Sequence, residues 1–318
     1  MQGGNRMYIV VQFFILAIGF LMLVKGADWF VEGTAQIAAQ FKIPQLVIGL
    51  TIVAMGTSAP ETAVSITAAL KDNGGIAIGN VVGSNILNIL IILGITAVII
   101  NVKVQESTLK IEIPFMILVT VVLYIAGLTN HYVYFYEGIV LLALFVTYLL
   151  YLFHMAKKGK EQEQELPPSE QEPIWKLVVI SILGIVLIVL GSNVTVDAAT
   201  TIAKFFGMSE RFIGLTIVAL GTSLPELVTS IMAAVRGKAD IAIGNIVGSN
   251  IFNILFVIGT ASLITPIIFQ PQFLTDTIIA VLAGGLLWIS IAKTRELTRK
   301  WGLVMLGAYA CYFGYLLT

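Results

Sequence analysis

Residues 49–61 read GLTIVAMGTSAPE, and the run returns at residues 214–226 as GLTIVALGTSLPE, with changes only at Met55/Leu220 and Ala59/Leu224. The same offset of 165 residues carries residues 76–85, IAIGNVVGSN, onto residues 241–250, IAIGNIVGSN, with one change at Val81/Ile246. Two blocks that align without a gap mark an internal duplication. A soluble solenoid repeats a shorter unit more often, whereas two long apolar halves are the pattern of secondary transporters.

Around these blocks the chain is built of hydrocarbon. Of its 318 residues, 58% are apolar and 11% charged, under half the roughly 25% of a soluble domain. Its mean hydropathy is +0.97. Eighteen basic and eighteen acidic residues cannot cover so much apolar surface in water, so the chain reads as an integral membrane protein. With zero formal charge it has no basic excess for nucleic acid, and the lone Cys311 forms no internal disulfide. The first apolar run, from about Met7 to Val24, continues into Lys25 and Asp28 without a cleavage pattern and reads as a first span.

Ten apolar stretches follow one another, centred near Ile18, Ile52, Leu90, Val119, Leu144, Leu187, Ile217, Leu255, Ala283 and Gly307. The expected fold is all-α, with ten transmembrane helices in two five-helix repeats, residues 1–156 and 174–318, joined by a polar, proline-bearing linker at 157–173. An odd number of spans per half makes the second repeat enter from the opposite side, so the repeats are inverted. Alternating the loops puts thirteen basic residues on the linker side, among them Lys42, Lys103, Lys157, Arg236 and Arg295. The other side receives only Arg6, Lys71, Lys204 and Arg211. The positive-inside rule then makes the linker cytoplasmic and places both termini outside the inner membrane.

Glu61 and Glu226 fall in the middle of the second and seventh spans. An ionised carboxylate there costs about 2.5–3.5 kcal/mol on insertion scales, and no Lys or Arg in the second, third, seventh or eighth span neutralises it. A mobile cation is the expected counter-charge. Pro60 and Pro225 break both helices and free carbonyls near Gly56 and Gly221, while Thr57, Ser58, Thr222 and Ser223 add hydroxyls. A competing reading makes the acids helix caps, since Ser58-x-x-Glu61 and Ser223-x-x-Glu226 fit a capping box. In the third and eighth spans Asn80, Ser84 and Asn88, and Asn245, Ser249 and Asn253, recur every four residues along one face. Gly75, Gly79 and Gly83 form a stripe for close backbone approach. Carboxylate, amide, carbonyl and hydroxyl oxygens without sulfur or imidazole suit Na+ or Ca2+ rather than zinc or copper. Asp28, Glu32 and Asp197 are expected near helix ends, Asp28 beside Lys25. No hydrolase elbow, zinc-protease or phosphate-loop motif appears, so the chain does not read as an enzyme and calls for no cofactor.

With Gly56-Thr-Ser-x-Pro-Glu61 and Gly79-Asn-x-x-Gly-Ser-Asn85, repeated in the second half, the chain resembles the cation/calcium exchanger superfamily, specifically prokaryotic sodium/calcium exchangers. The resemblance implies a ten-helix antiporter, with the second and seventh helices broken at the midplane, that exchanges Na+ for Ca2+ by alternating access. It implies that Glu61 and Glu226 bind Ca2+ and share Na+ sites with Thr57, Ser58, Ser84, Thr222, Ser223 and Ser249, and with carbonyls near Ala54 and Ala219. Asn88 and Asn253 match two flanking positions. Some archaeal and potassium-dependent relatives carry Asp where this chain has Asn253, which leaves two carboxylates at the centre. A proton/calcium exchanger and a cation channel are the alternatives; the implied partners are the two ions and the bilayer, with no nucleic acid and no obligatory protein.

Overall fold

The computed structural model describes residues 2–72, 74–159, 172–207 and 219–316. The first half contains α1 (Gln2–Gln40), α2 (Gln45–Thr57), α3 (Ala59–Leu70) and α4 (Gly74–Ile99), then strand β1 (Val102–Lys103). It continues with α5 (Ile113–Asn130), which a π-helical turn at Thr108–Glu112 precedes, strand β2 (Tyr132–Val133) and α6 (Phe135–Gly159). The second half runs α7 (Ile174–Phe205), α8 (Ala219–Thr222), α9 (Leu224–Val235), α10 (Ala239–Ile264), β3 (Ile267–Ile268), α11 (Pro271–Ala292), β4 (Glu296–Leu297) and α12 (Arg299–Leu316).

Among the described residues the regular structure is helical apart from four two-residue strands. Among the described residues, seven helices are long and apolar enough to cross a membrane, and the bent pair α2–α3 makes an eighth. Nine of the ten expected centres fall inside a helix; Ile217 lies outside the described residues, as do most of the linker and Thr318.

The halves pack as mutual images. α1 and α7 lie antiparallel: a Cβ on Gly26 would meet the Gly184 carbonyl at 2.7 Å, and one on Gly191 the Gly19 carbonyl at 2.9 Å. Only glycine permits that approach, and the 165-residue offset relates Gly19 to Gly184 and Gly26 to Gly191. β1 pairs with β4, and β2 with β3, so each half's strands bind those of the other. Even the turns repeat: backbone with positive φ occurs at Lys42 and Gly207, Asp72 and Gly237, and His131 and Arg295.

α4 and α10 form the interior. Burial covers 72% and 94% of their most apolar stretches, against 22% for α1 and for α6. Gly244 and Gly248 bring α10 onto the backbone of α2 at Gly49 and Leu50. Gly79 instead faces the Phe273 ring, and the repeat equivalents of Gly49 and Leu50 are Gly214 and Leu215, outside the described residues.

Loops assigned to one side by charge do meet. Val104 N–H donates to the Arg295 carbonyl, Gln105 reaches Asp240, and Glu106 pairs with Lys110 and Arg295. The hydrogen bond and charge of Lys110, with the Arg295 guanidinium, hold the Glu106 carboxyl below the usual range. Gln40, at the end of α1, donates to the Glu172 carbonyl just before α7.

Candidate cation site

α2 and α3 meet at a 52° bend whose hinge is Ser58-Ala59-Pro60. Pro60 has no N–H to continue the ladder from α2, and its fixed φ suits the first turn of a restarted helix. Glu61 therefore enters on the first turn of α3, as Glu226 does on α9, where the positive helix end favours an anion.

Both glutamates are fully buried, at 1% and 0% exposure. Neither forms an ion pair with Lys, Arg or His among the described residues. Their hydrogen bonds cross between the halves: Ser58 Oγ donates to Glu226 Oε1 (2.8 Å) and Ser223 Oγ to Glu61 Oε1 (3.2 Å). Thr57 Oγ1 donates instead to the Val53 carbonyl (3.0 Å). The capping-box reading is overturned, because Ser58 and Ser223 make no side-chain cap bond and spend their hydroxyls on the opposite repeat.

The asparagines divide into two sets. Asn80 Nδ2 donates to Ser65 Oγ (2.9 Å) and to the Glu61 carbonyl (3.1 Å). Asn245 Nδ2 does the same with Ser230 Oγ (2.9 Å) and the Glu226 carbonyl (3.4 Å). These amides fix the backbone that carries each acid. Thr57 Oγ1 also lies 2.9 Å from Asn245 Oδ1.

The second set is a ring of four amides. Asn85 Nδ2 donates to the Asn250 carbonyl (3.0 Å) and Asn250 Nδ2 to the Asn85 carbonyl (3.1 Å). Asn88 Nδ2 donates to Asn250 Oδ1 (3.0 Å) and Asn253 Nδ2 to Asn85 Oδ1 (3.2 Å). With their N–H groups tied into the ring, Asn88 and Asn253 keep Oδ1 free. Both α4 and α10 become π-helical at these residues, over Asn88–Leu93 and Asn253–Ile258, a deviation frequent at functional sites.

Of these carboxylates and amides, four buried acceptors are left without a hydrogen-bond partner: Glu61 Oε2, Glu226 Oε2, Asn88 Oδ1 and Asn253 Oδ1. Each orphaned acceptor costs about 1–3 kcal/mol, more for a charged one, and all four would be satisfied by a hard cation. Their donor chemistry fits Na+ and Ca2+.

The remaining expectations fall unevenly. Ser249 Oγ reaches across to the Ala54 carbonyl (3.3 Å), whereas Ser84 donates to Asn80 O within its own helix. Ala219 heads α8, and the Gly221 carbonyl accepts from Ser192 on α7 (2.7 Å). Asp28 is paired with Arg236 as well as Lys25, and Glu32 accepts from Gln36.

Sequence reasoning missed Ser65, Ser230, Asn85, Asn250 and Ser192. The first four were open to it: they are polar, identical in both repeats and placed in apolar spans. Asn250→Ala removes an acceptor from Asn88 and a donor from Asn85 O, freeing the Asn88 amide to turn. The expected result is about a tenfold rise in the Ca2+ needed for half-maximal uptake, equivalent to about 1.4 kcal/mol. Titration of uptake against external Ca2+ checks it.

A family model described as sodium/calcium exchanger protein matches residues 11–154 and 176–318. CaxA of Alkalimonas amylolytica is 41% identical, with 96% of this chain and 98% of that protein covered. The sodium/calcium exchanger MaX1 of Methanosarcina acetivorans is 32% identical, covering 96% and 98%. The structure of the sodium-calcium exchanger NCX_Mj soaked with zero Na+ and Ca2+ superimposes with a TM-score of 0.83 at 32% identity, over 97% of this chain and 99% of that one.

Proposed function

Because this chain belongs to the sodium/calcium exchanger protein family, we propose that it is a secondary-active antiporter that exchanges Na+ for Ca2+ at a centre between its two repeats. The four orphaned acceptors of Glu61, Glu226, Asn88 and Asn253 carry this reading. Two carboxylates neutralise one Ca2+ or two Na+. Thr57, Ser58, Thr222, Ser223, Ser84 and Ser249, with the carbonyls of Ala54 and Ala219, complete the coordination as neutral oxygens.

Ten helices in two inverted repeats, residues 1–156 and 174–318, form the carrier. The antiparallel packing of the equivalent helices α1 and α7 supports the inversion. Transport proceeds by alternating access: α1 and α7, whose glycines make them a closely fitted pair, slide as a unit over the bundle centred on α4 and α10. In each position the pair opens the same centre to one side of the membrane. Every acid is clasped by hydroxyls of the other repeat, so the centre is complete only when both breaks are in register.

The decisive experiment is Ca2+ uptake into proteoliposomes loaded with sodium, potassium or neither, at fixed pH. Uptake that requires internal sodium is expected. Equal uptake from sodium-free vesicles under a pH gradient would make the counter-ion a proton, and uptake without any counter-ion would make the protein a channel.

In the inner membrane the linker side is cytoplasmic and the termini outside by the positive-inside rule, and the contacts of the loops around Arg295 and Asp240 support their lying on one side. Single cysteines at Lys160, Arg299 and Thr318, in a Cys311→Ala background, report this topology. An impermeant thiol reagent added to intact right-side-out cells is expected to label position 318 alone; labelling at 160 or 299 would reverse the orientation.

A further inference from the structure

One buried carboxylate lies outside the exchange centre. Glu112 ends the π-helical turn before α5 and is fully buried. Among the described residues no basic side chain pairs with it. Its Oε1 accepts a hydrogen bond from Tyr151 Oη of α6, while Oε2 has no partner. Thr108 Oγ1, four residues earlier, and Tyr148 Oη, three residues before Tyr151, are also buried and unpartnered. Tyr148 lies within electrostatic reach of the carboxyl group. A cavity of about 220 Å³ adjoins Glu112, Tyr148 and Tyr151 and is otherwise lined by Ile111, Phe115 and Thr147, with Phe115 and Tyr148 stacked at 5.6 Å.

The residue types recur in the second repeat, where the other tyrosine of the pair bonds the acid. Asp276, Tyr312 and Tyr315 follow Glu112, Tyr148 and Tyr151 at 164 residues, the offset that also relates His131 to Arg295 and Gly138 to Gly302. Tyr312 Oη donates to Asp276 Oδ1 (3.1 Å). In the second half the acid is one methylene shorter and only half-buried. The first half adds full burial, three orphaned oxygens and a cavity.

We propose that Glu112, Tyr148 and Tyr151 form a binding site for a primary ammonium group at the edge of the membrane. An ammonium brings the positive charge that Glu112 lacks, and its N–H donors match the orphaned oxygens of Glu112 and Tyr148, the two such residues that line the cavity. Aromatic faces of Phe115, Tyr148 and Tyr151 favour a cation carried on hydrocarbon, and the largely apolar cavity takes the methylenes attached to it. A bare alkali ion would leave that volume unused. A quaternary ammonium offers no donor. Glu112 lies four residues, about 6 Å along the helix axis, from the start of its span, so it sits nearer one membrane surface than the midplane. The ammonium is therefore supplied either by phosphatidylethanolamine or by a soluble amine. The proposal does not rest on the exchange mechanism.

Protein reconstituted in equimolar phosphatidylethanolamine and phosphatidylcholine, then re-extracted in mild detergent, is analysed for retained lipid by native mass spectrometry. The wild type is expected to retain phosphatidylethanolamine over phosphatidylcholine by about tenfold, and Glu112→Gln to lose the preference. Tyr148→Phe keeps the ring and is expected to lower the preference about threefold with Ca2+ uptake unchanged, so the test survives if Glu112→Gln does not fold. In pure phosphatidylcholine, ethanolamine is added and thermal stability followed. Stabilisation of the wild type but not of Tyr148→Phe, without lipid preference, identifies a soluble amine as the source. Equal retention of the two lipids together with no response to ethanolamine overturns the proposal.

Discussion

Replacing Glu61 or Glu226 by Gln is expected to lower Ca2+ uptake into sodium-loaded proteoliposomes at least about a hundredfold, a loss of roughly 2.7 kcal/mol. Glutamine keeps the size of the side chain and can still accept from Ser223 or Ser58, so the cross-repeat clasp survives. What it removes is one of the two anions that neutralise a divalent ion in a water-poor centre. The remaining Ca2+–carboxylate pair carries a net positive charge, at a cost comparable with the 2.5–3.5 kcal/mol of a lone charge at membrane depth. The second carbonyl-like oxygen becomes an NH2 whose donors face Ca2+ instead of an acceptor. Both variants should purify as monodisperse protein, since each sheds a buried charge. Uptake within tenfold of wild type in both would take the glutamates out of the mechanism.

The two acids were legible in the sequence because the bilayer makes their cost explicit: a carboxylate beside Pro60 or Pro225 in a 20-residue apolar run needs a reason. The duplication was legible too, and with it the family. The amide ring was harder to see. Spacing by four groups Asn80, Ser84 and Asn88 on one face and leaves Asn85 on another. The partners that matter, Asn250 for Asn88 and Asn85 for Asn253, lie across the interface between α4 and α10. Helical periodicity cannot reveal a contact made by folding one repeat onto its image. Ser84 shows the converse, since it lies on the predicted stripe yet donates to its own helix at Asn80.

A one-residue slip concealed the rest. The offset is 165 residues through Asn88 and Asn253 but 164 at His131 and Arg295, so a gap-free comparison that works for α4 fails for α5 and α6. Glu112 and Asp276 line up only once that slip is allowed. The slip falls between the π-helical turns of α4 and α10 and the peripheral helices. The buried carboxylates and amides at the repeat interface therefore keep strict register, while the outer pairs α5–α6 and α11–α12 are offset by one residue.

That strict register has an electrical consequence. In the proposed mechanism the same two carboxylates face either ion load, so one Ca2+ would leave the pair neutral and two Na+ would do the same. Neutral oxygens of Thr57, Ser58, Thr222, Ser223, Asn88 and Asn253 would, on that proposal, hold a third Na+ with no further anion, position 253 being an amide. The sodium-loaded carrier then crosses with one more positive charge than the calcium-loaded one. Moving that charge is worth about 2.3 kcal/mol per 100 mV, roughly fiftyfold in the ion ratio that exchange can sustain. An inside-positive potential of about 100 mV, set with potassium and valinomycin, is therefore expected to raise steady Ca2+ accumulation in sodium-loaded vesicles by up to that factor, by driving the extra charge outward. The stoichiometry follows from the reversal potential at several sodium gradients. A reversal that tracks three Na+ per Ca2+ supports the neutral third site, and one that is independent of potential, at two Na+ per Ca2+, sinks it.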